Sequence, residues 1–291
     1  MNLRELLGSD KQRIFLDGAM GTQLGQAGLE MGGQNNITNP DVVLAIHKRY
    51  AACGVDLLIT NTLTMNRANL ESHNVGVGVR EVNLAGVRLA KEAAGDSQFV
   101  LGDMSSTGKM LQPYGQLPEE AAFATFREQA LILAEGGVDG LIVETMFDLR
   151  ESLCALRAAR EATDLPILAS IAFNTAGNEG RTVMGNMARQ CAQALAEGGA
   201  SAVGANCGSI DPVEMGQIVA MMREAVSAPL IAQPNAGRGR LVDKELVFDL
   251  SPADFAAGVR ECVRAGARLV GGCCGTSPDH IQAMVELIGR I

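Results

Sequence analysis

The chain has 291 residues, of which 47% are hydrophobic, so it can bury a sizeable core and is not a disordered protein. Its formal net charge of −9 argues against a nucleic-acid or anionic-membrane surface, and no apolar run reaches the roughly 18 residues that a membrane-spanning helix needs. No stretch near the N-terminus is apolar enough for a signal peptide, and the seven cysteines are scattered. We therefore expect a cytoplasmic protein whose cysteines are thiols or metal ligands rather than a disulfide framework.

Short apolar runs alternate with segments of helical periodicity along the whole chain. A short helix is predicted over residues 3–9, and later helices over 150–163, 252–265 and 278–291. The apolar runs predict eight strands, at residues 13–16, 55–59, 98–101, 138–143, 166–173, a sixth that ends at Asn206, 229–232 and 267–270. These runs are mostly apolar on both faces, as expected for parallel strands with both faces covered.

Glycines mark four of the helix–strand junctions. Gly54, Gly137, Gly199 and Gly266 each follow a predicted helix and precede a predicted strand, the position of a left-handed helix cap. Eight strands that alternate with helices predict an α/β fold, a single-domain (β/α)8 TIM barrel over residues 1–291. A doubly wound open sheet is the alternative, but no glycine-rich dinucleotide loop follows the first strand in the required form.

Polar side chains follow the predicted strands at their C-terminal ends. A (β/α)8 barrel gathers such residues at one mouth, where its active site lies, although they are far apart in sequence. The residues in question are Asp17, Asn61, Asp103, Glu144, Asn174, Cys207, Asn235, Cys273 and Cys274.

Two adjacent cysteines follow the last predicted strand, in Gly271-Gly272-Cys273-Cys274-Gly275-Thr276. Neighbouring cysteines rarely pair with each other, but flanking glycines let both thiols turn toward one metal ion. Cys207 also follows an apolar run and precedes a glycine, so it is the best third ligand, whereas His280 is the rival. Three sulfurs with one open position indicate a catalytic zinc rather than a structural one. We interpret the remaining cysteines as core residues: Cys53, Cys154, Cys191 and Cys262.

Several motifs occur in the same order as in a known family. The chain resembles the homocysteine S-methyltransferases, most closely the homocysteine-binding barrel of cobalamin-dependent methionine synthase. The resemblance covers essentially the whole chain, and the double-cysteine motif with an upstream Asn-Cys is highly specific. The matching segments are Asp17-Gly18-Ala19-Met20-Gly21-Thr22, Thr60-Asn61-Thr62, Thr107-Gly108-Lys109, Glu144-Thr145, Asn206-Cys207, Pro234-Asn235-Ala236-Gly237 and the Cys273-Cys274 motif.

The resemblance implies a role for each matching residue. Zinc is expected on Cys207, Cys273 and Cys274, and Asn235 is expected to approach the zinc before substrate arrives. The amino group of the substrate, L-homocysteine, is expected to contact Asp17 and Glu144. Its carboxylate is expected to contact the backbone of Gly18, Ala19, Met20 and Gly21. Asn206 is expected to contact the substrate as well. Without the resemblance, Asp17 could be a helix cap, Glu144 part of a structural ion pair, and Asn235 a turn residue.

Zinc fits the chemistry because only the thiolate of homocysteine is a good methyl acceptor. With the cysteine pKa of about 8.5 as a guide, roughly 3% of the thiol is ionised at neutral pH, so zinc coordination gains about thirtyfold. Three protein thiolates leave the site with a formal charge of about −1, which keeps a fourth sulfur electron-rich.

The chain departs from the family pattern on the side that meets the methyl donor. Ile59 stands where an acidic residue is usual, and Ser105-Ser106-Thr107-Gly108 replaces a usual Gly-Pro-Thr-Gly. No Asp-x-His-x-x-Gly cobalamin signature is present, so the expected donor, a methylcorrinoid, must be carried by a protein on a separate chain unless this chain is an excised domain. S-methylmethionine or S-adenosylmethionine as donors, or another thiol or selenol as acceptor, are the alternatives. Betaine is disfavoured because its ammonium calls for an aromatic cage. A non-catalytic zinc- or thiol-binding protein is the alternative of another class.

Overall fold

A computed structural model of the protein describes residues 1–242 and 245–289, with residues 245 and 246 described as backbone alone. Parallel strands form its centre in the order β1-β10-β7-β6-β5-β4-β3-β2, and a bridge between Leu16 and Leu57 joins the two end strands. The sheet is therefore an eight-stranded barrel, as predicted. Its strands are β1 (Ile14–Phe15), β2 (Leu57–Ile59), β3 (Phe99–Met104), β4 (Gly140–Met146), β5 (Ile167–Ile171), β6 (Ala202–Asn206), β7 (Leu230–Gln233) and β10 (Ala267–Val270).

Helices surround the barrel and follow nearly every strand. None of those in the described part of the chain is long and apolar enough to cross a membrane. The helices are α1 (Leu3–Gly8), α2 (Met20–Gln26), α3 (Asn35–Thr38), α4 (Pro40–Ala51), α5 (Arg67–Ser72), α6 (Val79–Ala93), α7 (Glu119–Glu135), α8 (Leu149–Ala162), α9 (Ala188–Glu197), α10 (Pro212–Ala225), α11 (Pro252–Arg264) and α12 (Pro278–Ile288).

The apolar core has two main layers. Leucines of α1, among them Leu3 and Leu6, pack with inward-facing strand residues such as Leu101 and Ile231 inside the barrel. The outer faces of the strands pack against the helices in a second, larger layer. Arg268 of β10 ties α1 to the barrel because its guanidinium donates to four backbone carbonyls of the first eleven residues. The N-terminal end of the barrel is thus filled, and the C-terminal end is left for the site.

Local signals in the sequence set where the helices begin and end. Asp211 and Ser251 cap α10 and α11 through their side chains, and a proline follows each at the first helical position. The four junction glycines adopt positive φ, between 79° at Gly54 and 109° at Gly266, so the predicted left-handed caps are confirmed.

Some elements differ from the sequence prediction. Strands β3 and β4 continue to Met104 and Met146, so Asp103 and Glu144 lie within strands rather than after them. The sequence predicts strands that stop before Asp103 and Glu144 because both residues are polar. The pairing of the strands nevertheless continues, because these side chains face the barrel mouth. An antiparallel hairpin, β8 (Arg240–Val242) with β9 (Glu245–Val247), was not predicted. The last two residues of the helix predicted over 278–291 lie outside the described residues.

Candidate metal centre and cavity

Three thiols meet at the C-terminal mouth of the barrel. Cys207 follows β6, and Cys273 and Cys274 follow β10, separated from β6 in the sheet by β7. Their sulfur atoms all lie within 4.8 Å of one another, and those of Cys207 and Cys274 are 3.8 Å apart. Tetrahedral zinc with Zn–S bonds of about 2.3 Å would hold its sulfur ligands about 3.8 Å apart. The cluster thus has dimensions that fit one zinc ion.

The backbone around the cysteines is held in place on both sides. The amide of Cys273 donates to the Pro234 carbonyl at 2.8 Å, and the Cys274 carbonyl accepts from the Ala236 amide at 2.9 Å. Cys207 adopts a φ of 56°, a left-handed conformation that a non-glycine residue seldom takes. Such strain persists only where neighbouring structure imposes it, and it is common at functional sites.

The three thiols do not ionise equally easily. Hydrogen bonds from Cys207 and Cys273 lower the pKa of the Cys274 thiol to about 4. Hydrogen bonds with Cys207 and Cys274, together with burial, raise the pKa of Cys273 well above its usual value. All three thiols can ionise together only when a positive ion offsets their charge. The chemistry of the donor set therefore favours a bound divalent cation.

Two other predicted or rival ligands take different positions. Asn235 is 2% exposed; its Nδ2 donates to the Gly208 carbonyl at 3.0 Å, while its buried Oδ1 has no partner. That oxygen remains available to a ligand. His280 is engaged elsewhere, because its Nδ1 lies 2.8 Å from Ser277 Oγ and its Nε2 lies 2.9 Å from the Leu250 carbonyl. Among the described residues, the three cysteines form the one metal-competent group of cysteine, histidine and carboxylate side chains.

A cavity of about 280 Å³ opens directly onto the thiols, a volume suited to a small ligand. Its wall includes the predicted turn residues Gly18, Ala19, Met20 and Gly21 together with Glu144 and all three cysteines. Ile59, where the resemblance leads one to expect an acidic residue, is also part of the wall.

Glu144 and Asp17 are buried carboxylates without a charge partner in the described part of the chain. Burial raises the pKa of Glu144 to about 7, and the nearby Cys207 adds to this, while a hydrogen bond from Gln233 opposes it. Burial also raises the pKa of Asp17 well above its usual value, although its Oδ2 accepts from the Ile59 amide at 2.9 Å. The buried Oδ1 of Asp17 has no partner. Both carboxylates are therefore costly to ionise until a cation arrives.

Asn206 is fully buried and its side-chain amide is already bonded. Its Oδ1 accepts from the Thr145 amide and from Ser170 Oγ, and its Nδ2 donates to Thr145 Oγ1 and to Glu144. These bonds link β4, β5 and β6 just behind the cavity wall. The predicted contact of Asn206 with substrate stays a prediction, and the observed contacts position Glu144 and Thr145.

Thr276 holds the turn that begins at Gly18 against the double-cysteine loop. Its Oγ1 accepts from the Ala19 amide at 3.0 Å and donates to the Cys273 carbonyl at 2.7 Å. The Ala19 amide is thus already used, whereas Met20 and Gly21 begin α2, which has no side-chain cap. The hydroxyl of Tyr50 donates to the Ala19 carbonyl at 2.8 Å and fixes the turn from the other side. The unpaired first-turn amides leave donors for an anion.

Asp103 is a site residue whose importance the sequence did not single out. It is 4% exposed, lines the same cavity, and its Oδ1 has no partner. Burial, then the charges of Glu144 and Asp17, raise its pKa well above the usual value. The sequence placed it at the barrel mouth, but only the structure shows that it shares a cavity with the thiols.

A second cavity of about 690 Å³ adjoins the first, with which it shares Leu63, Thr64 and Thr145. Its rim carries exposed apolar side chains: Met110, Phe147, Val183 and Met184. The segment that replaces the usual Gly-Pro-Thr-Gly also lies here, where Glu151 accepts hydrogen bonds from Ser106 and Thr107. This second cavity therefore borders the cavity that the thiols line.

The remaining cysteines are buried away from the cluster, as predicted. Burial raises the pKa of each of the three most enclosed thiols, to about 11 at Cys154 and about 12 at Cys191 and Cys262. Such thiols are unreactive at neutral pH.

Comparison with known proteins gives matches over nearly the whole chain. The family model described as Homocysteine S-methyltransferase matches residues 14–288. The methionine synthase of Mycobacterium leprae is 31% identical over 98% of this chain, and that of Mycobacterium tuberculosis is 30% identical over 99%. The chain spans about a quarter of the length of these two relatives, 25% and 26%.

A solved structure has the same fold. The homocysteine methyltransferase MmuM of Escherichia coli, in its metallated form, aligns with a TM-score of 0.80 and 22% identity over 98% of this chain and 99% of its own. The likeness extends over the whole barrel rather than over a shared half.

Proposed function

Because the chain belongs to the homocysteine S-methyltransferase family, we propose that it transfers a methyl group to the thiolate of L-homocysteine to form methionine. One observation carries the proposal. Three thiols that can hold zinc line a small cavity together with buried carboxylates that have no charge partner among the described residues. We assign residues 1–291 to one homocysteine-binding barrel domain.

The three cysteines are the proposed zinc ligands, with Asn235 as a fourth ligand before substrate binds. Zinc held there would supply the positive charge that keeps the substrate sulfur ionised at neutral pH. Cys207, Cys273 and Cys274 set the position of that sulfur, and their own charge keeps it nucleophilic. The Oδ1 atom of Asn235, buried and unpartnered, supports its place in the set.

The rest of the substrate is a zwitterion, which needs acceptors for its ammonium and donors for its carboxylate. We assign the ammonium to Glu144 and Asp17 and the carboxylate to the turn from Gly18 to Gly21. The free first-turn amides of α2 support the second assignment. Asn206 would act through its hydrogen bonds to Glu144 and Thr145, which fix the carboxylate's position.

The reaction then consists of one displacement. The sulfur lone pair of the bound thiolate attacks the donor's methyl carbon, a sulfur–carbon bond forms, and the electron pair of the breaking bond stays with the donor. The small cavity would hold the sulfur in position, and the second cavity adjoins it on the side from which we propose that the donor enters.

For the donor we propose a methylcorrinoid carried by a separate protein. The adjoining cavity of about 690 Å³ with its exposed apolar rim supports a bulky donor, as does similarity to two methionine synthases. S-methylmethionine or S-adenosylmethionine is the second candidate, and a homocysteine methyltransferase as fold neighbour is compatible with it. A cytoplasmic location belongs to the proposal because thiol ligands require a reducing compartment.

Activity distinguishes an enzyme from a zinc- or thiol-binding protein. Zinc-loaded protein would be incubated with L-homocysteine and, in turn, methylcobalamin, S-methylmethionine and S-adenosylmethionine, and methionine formation measured. We expect turnover with at least one donor, abolished in Cys273→Ala and retained in Cys191→Ala, a buried cysteine away from the site. Zinc binding without turnover on any donor would favour the non-catalytic alternative.

A further inference from the structure

Three buried carboxylates lie near one another at the mouth of the barrel. Asp17 follows β1, Asp103 lies in β3 and Glu144 lies in β4; the charges of Glu144 and Asp17 raise the pKa of Asp103, and that of Glu144 also raises the pKa of Asp17. None of the ion pairs found within residues 1–242 and 245–289 includes any of the three. The protein has buried three acids together and supplied no neighbouring base in this region.

Two of their oxygens also lack hydrogen bonds. Oδ1 of Asp17 and Oδ1 of Asp103 are both buried without a partner among the described residues. Leaving such groups unpaired is expensive, so they persist in a native protein where a ligand completes them. Asp103 and Glu144 form part of the cavity wall itself, which places Asp103 where a ligand would touch it.

The side chain of Asp103 does not hold the barrel together. Its strand is fixed through the backbone instead, because its amide donates to Thr60 Oγ1 at 3.0 Å and its carbonyl accepts from Thr62 Oγ1 at 2.8 Å. Gln129 also approaches that carbonyl, at 3.4 Å. The backbone contacts would survive replacement of the carboxylate by an amide.

We propose that Asp103 is a third acceptor for the substrate's ammonium and thereby selects α-amino thiols over thiols that lack the amine. The inference rests on the proposed function. An ammonium carries three N–H donors, and Asp17, Glu144 and Asp103 offer one carboxylate for each. In the complex the ligand's ammonium would be the positive charge nearest to these acids, which explains why no lysine or arginine within residues 1–242 and 245–289 pairs with them.

The test distinguishes recognition of the substrate's ammonium from recognition of its thiol. Dissociation constants would be measured by calorimetry on zinc-loaded wild type and Asp103→Asn, with L-homocysteine and with 4-sulfanylbutanoate, which keeps the thiol and carboxylate but lacks the amine. We expect Asp103→Asn to weaken homocysteine binding roughly tenfold, the worth of one charged hydrogen bond. Binding of the analogue should change less than twofold.

A second aspartate provides the matched control for effects on folding. Asp139, at the opposite end of the barrel, pairs with Lys91 and the Val100 amide, so Asp139→Asn should leave both dissociation constants unchanged. We expect unliganded Asp103→Asn to melt no lower than wild type, because the substitution replaces a buried acid by an amide of the same shape without breaking a contact. Should Asp103→Asn not fold, Asp103→Ser replaces it.

Two outcomes overturn the inference. If Asp103→Asn weakens the binding of both ligands equally, Asp103 has a structural role and does not recognise the ammonium. If homocysteine binding is unchanged, Asp103 does not contact the substrate. Failure of the wild type to bind homocysteine while it binds zinc would instead overturn the proposed function, which the wild-type titration alone reveals.

Discussion

Gly208→Ala should damage the metal centre because it forces a shift next to a ligand. Gly208 adopts a φ of +78°, and a Cβ there would lie 2.1 Å from the Phe173 carbonyl oxygen, at least about 0.9 Å too close. That oxygen also accepts a hydrogen bond from the Ser209 amide at 3.0 Å. Left-handed strain costs roughly 1–2 kcal/mol, and loss of the hydrogen bond roughly another 1 kcal/mol, so destabilisation of about 2–3 kcal/mol is expected.

Gly185→Ala is the matched control, because Gly185 has a φ of +83° and no atom within 4 Å of the added Cβ. Only the left-handed strain should destabilise Gly185→Ala, by about 1–2 kcal/mol. Urea unfolding of both variants gives the stabilities, and competition with a chelator gives the zinc affinities. We expect zinc affinity to fall at least tenfold in Gly208→Ala and to stay unchanged in Gly185→Ala, since Cys207 adjoins Gly208. Equal stabilities together with wild-type zinc affinity in Gly208→Ala would refute the geometric reasoning.

Three further predictions concern buried groups. Burial lowers the pKa of His47 from 6.5 to about 4, so the unfolded chain binds the proton more tightly than the folded one. The free energy of unfolding should therefore fall by about 2 kcal/mol from pH 7.5 to pH 5. In urea titrations over the same pH range, the free energy of unfolding of His47→Leu should fall by less. Cys273→Ser should lower zinc stoichiometry measured by atomic absorption, whereas Cys191→Ser should retain one zinc per chain; equal retention would remove Cys273 from the ligand set. Thr276→Val should raise KM for homocysteine severalfold with little change in kcat, because the Ala19 amide loses its acceptor; an unchanged KM would show that the turn is held without it.

The sequence allowed the barrel and its mouth to be predicted because both follow from short-range patterns. The glycine junctions and the apolar runs are local, and a (β/α)8 topology then places every strand end at the same side. The double-cysteine motif was informative because thiols flanked by glycines have few structural uses.

Long-range features could not be read in the same way. The sequence predicts a strand over residues 98–101 because a polar residue usually ends a buried strand. The strand instead continues through Asp103, whose side chain lines a cavity at the barrel mouth. The hairpin of β8 and β9 carries exposed apolar residues such as Leu241, so it lacks the alternation that marks a strand. The bonding of Asn206 depends on Thr145 and Ser170, which only the folded barrel brings together.

The zinc shell provides the most direct test of the proposed acceptor chemistry. Purified under thiol protection and loaded with zinc, the protein would be examined by zinc X-ray absorption with and without L-homocysteine. We expect one zinc per chain with three sulfur ligands, rising to four when homocysteine is added. A protein that binds no zinc at the three cysteines, or a shell that homocysteine leaves unchanged, would contradict the proposed methyl transfer to a zinc-bound thiolate.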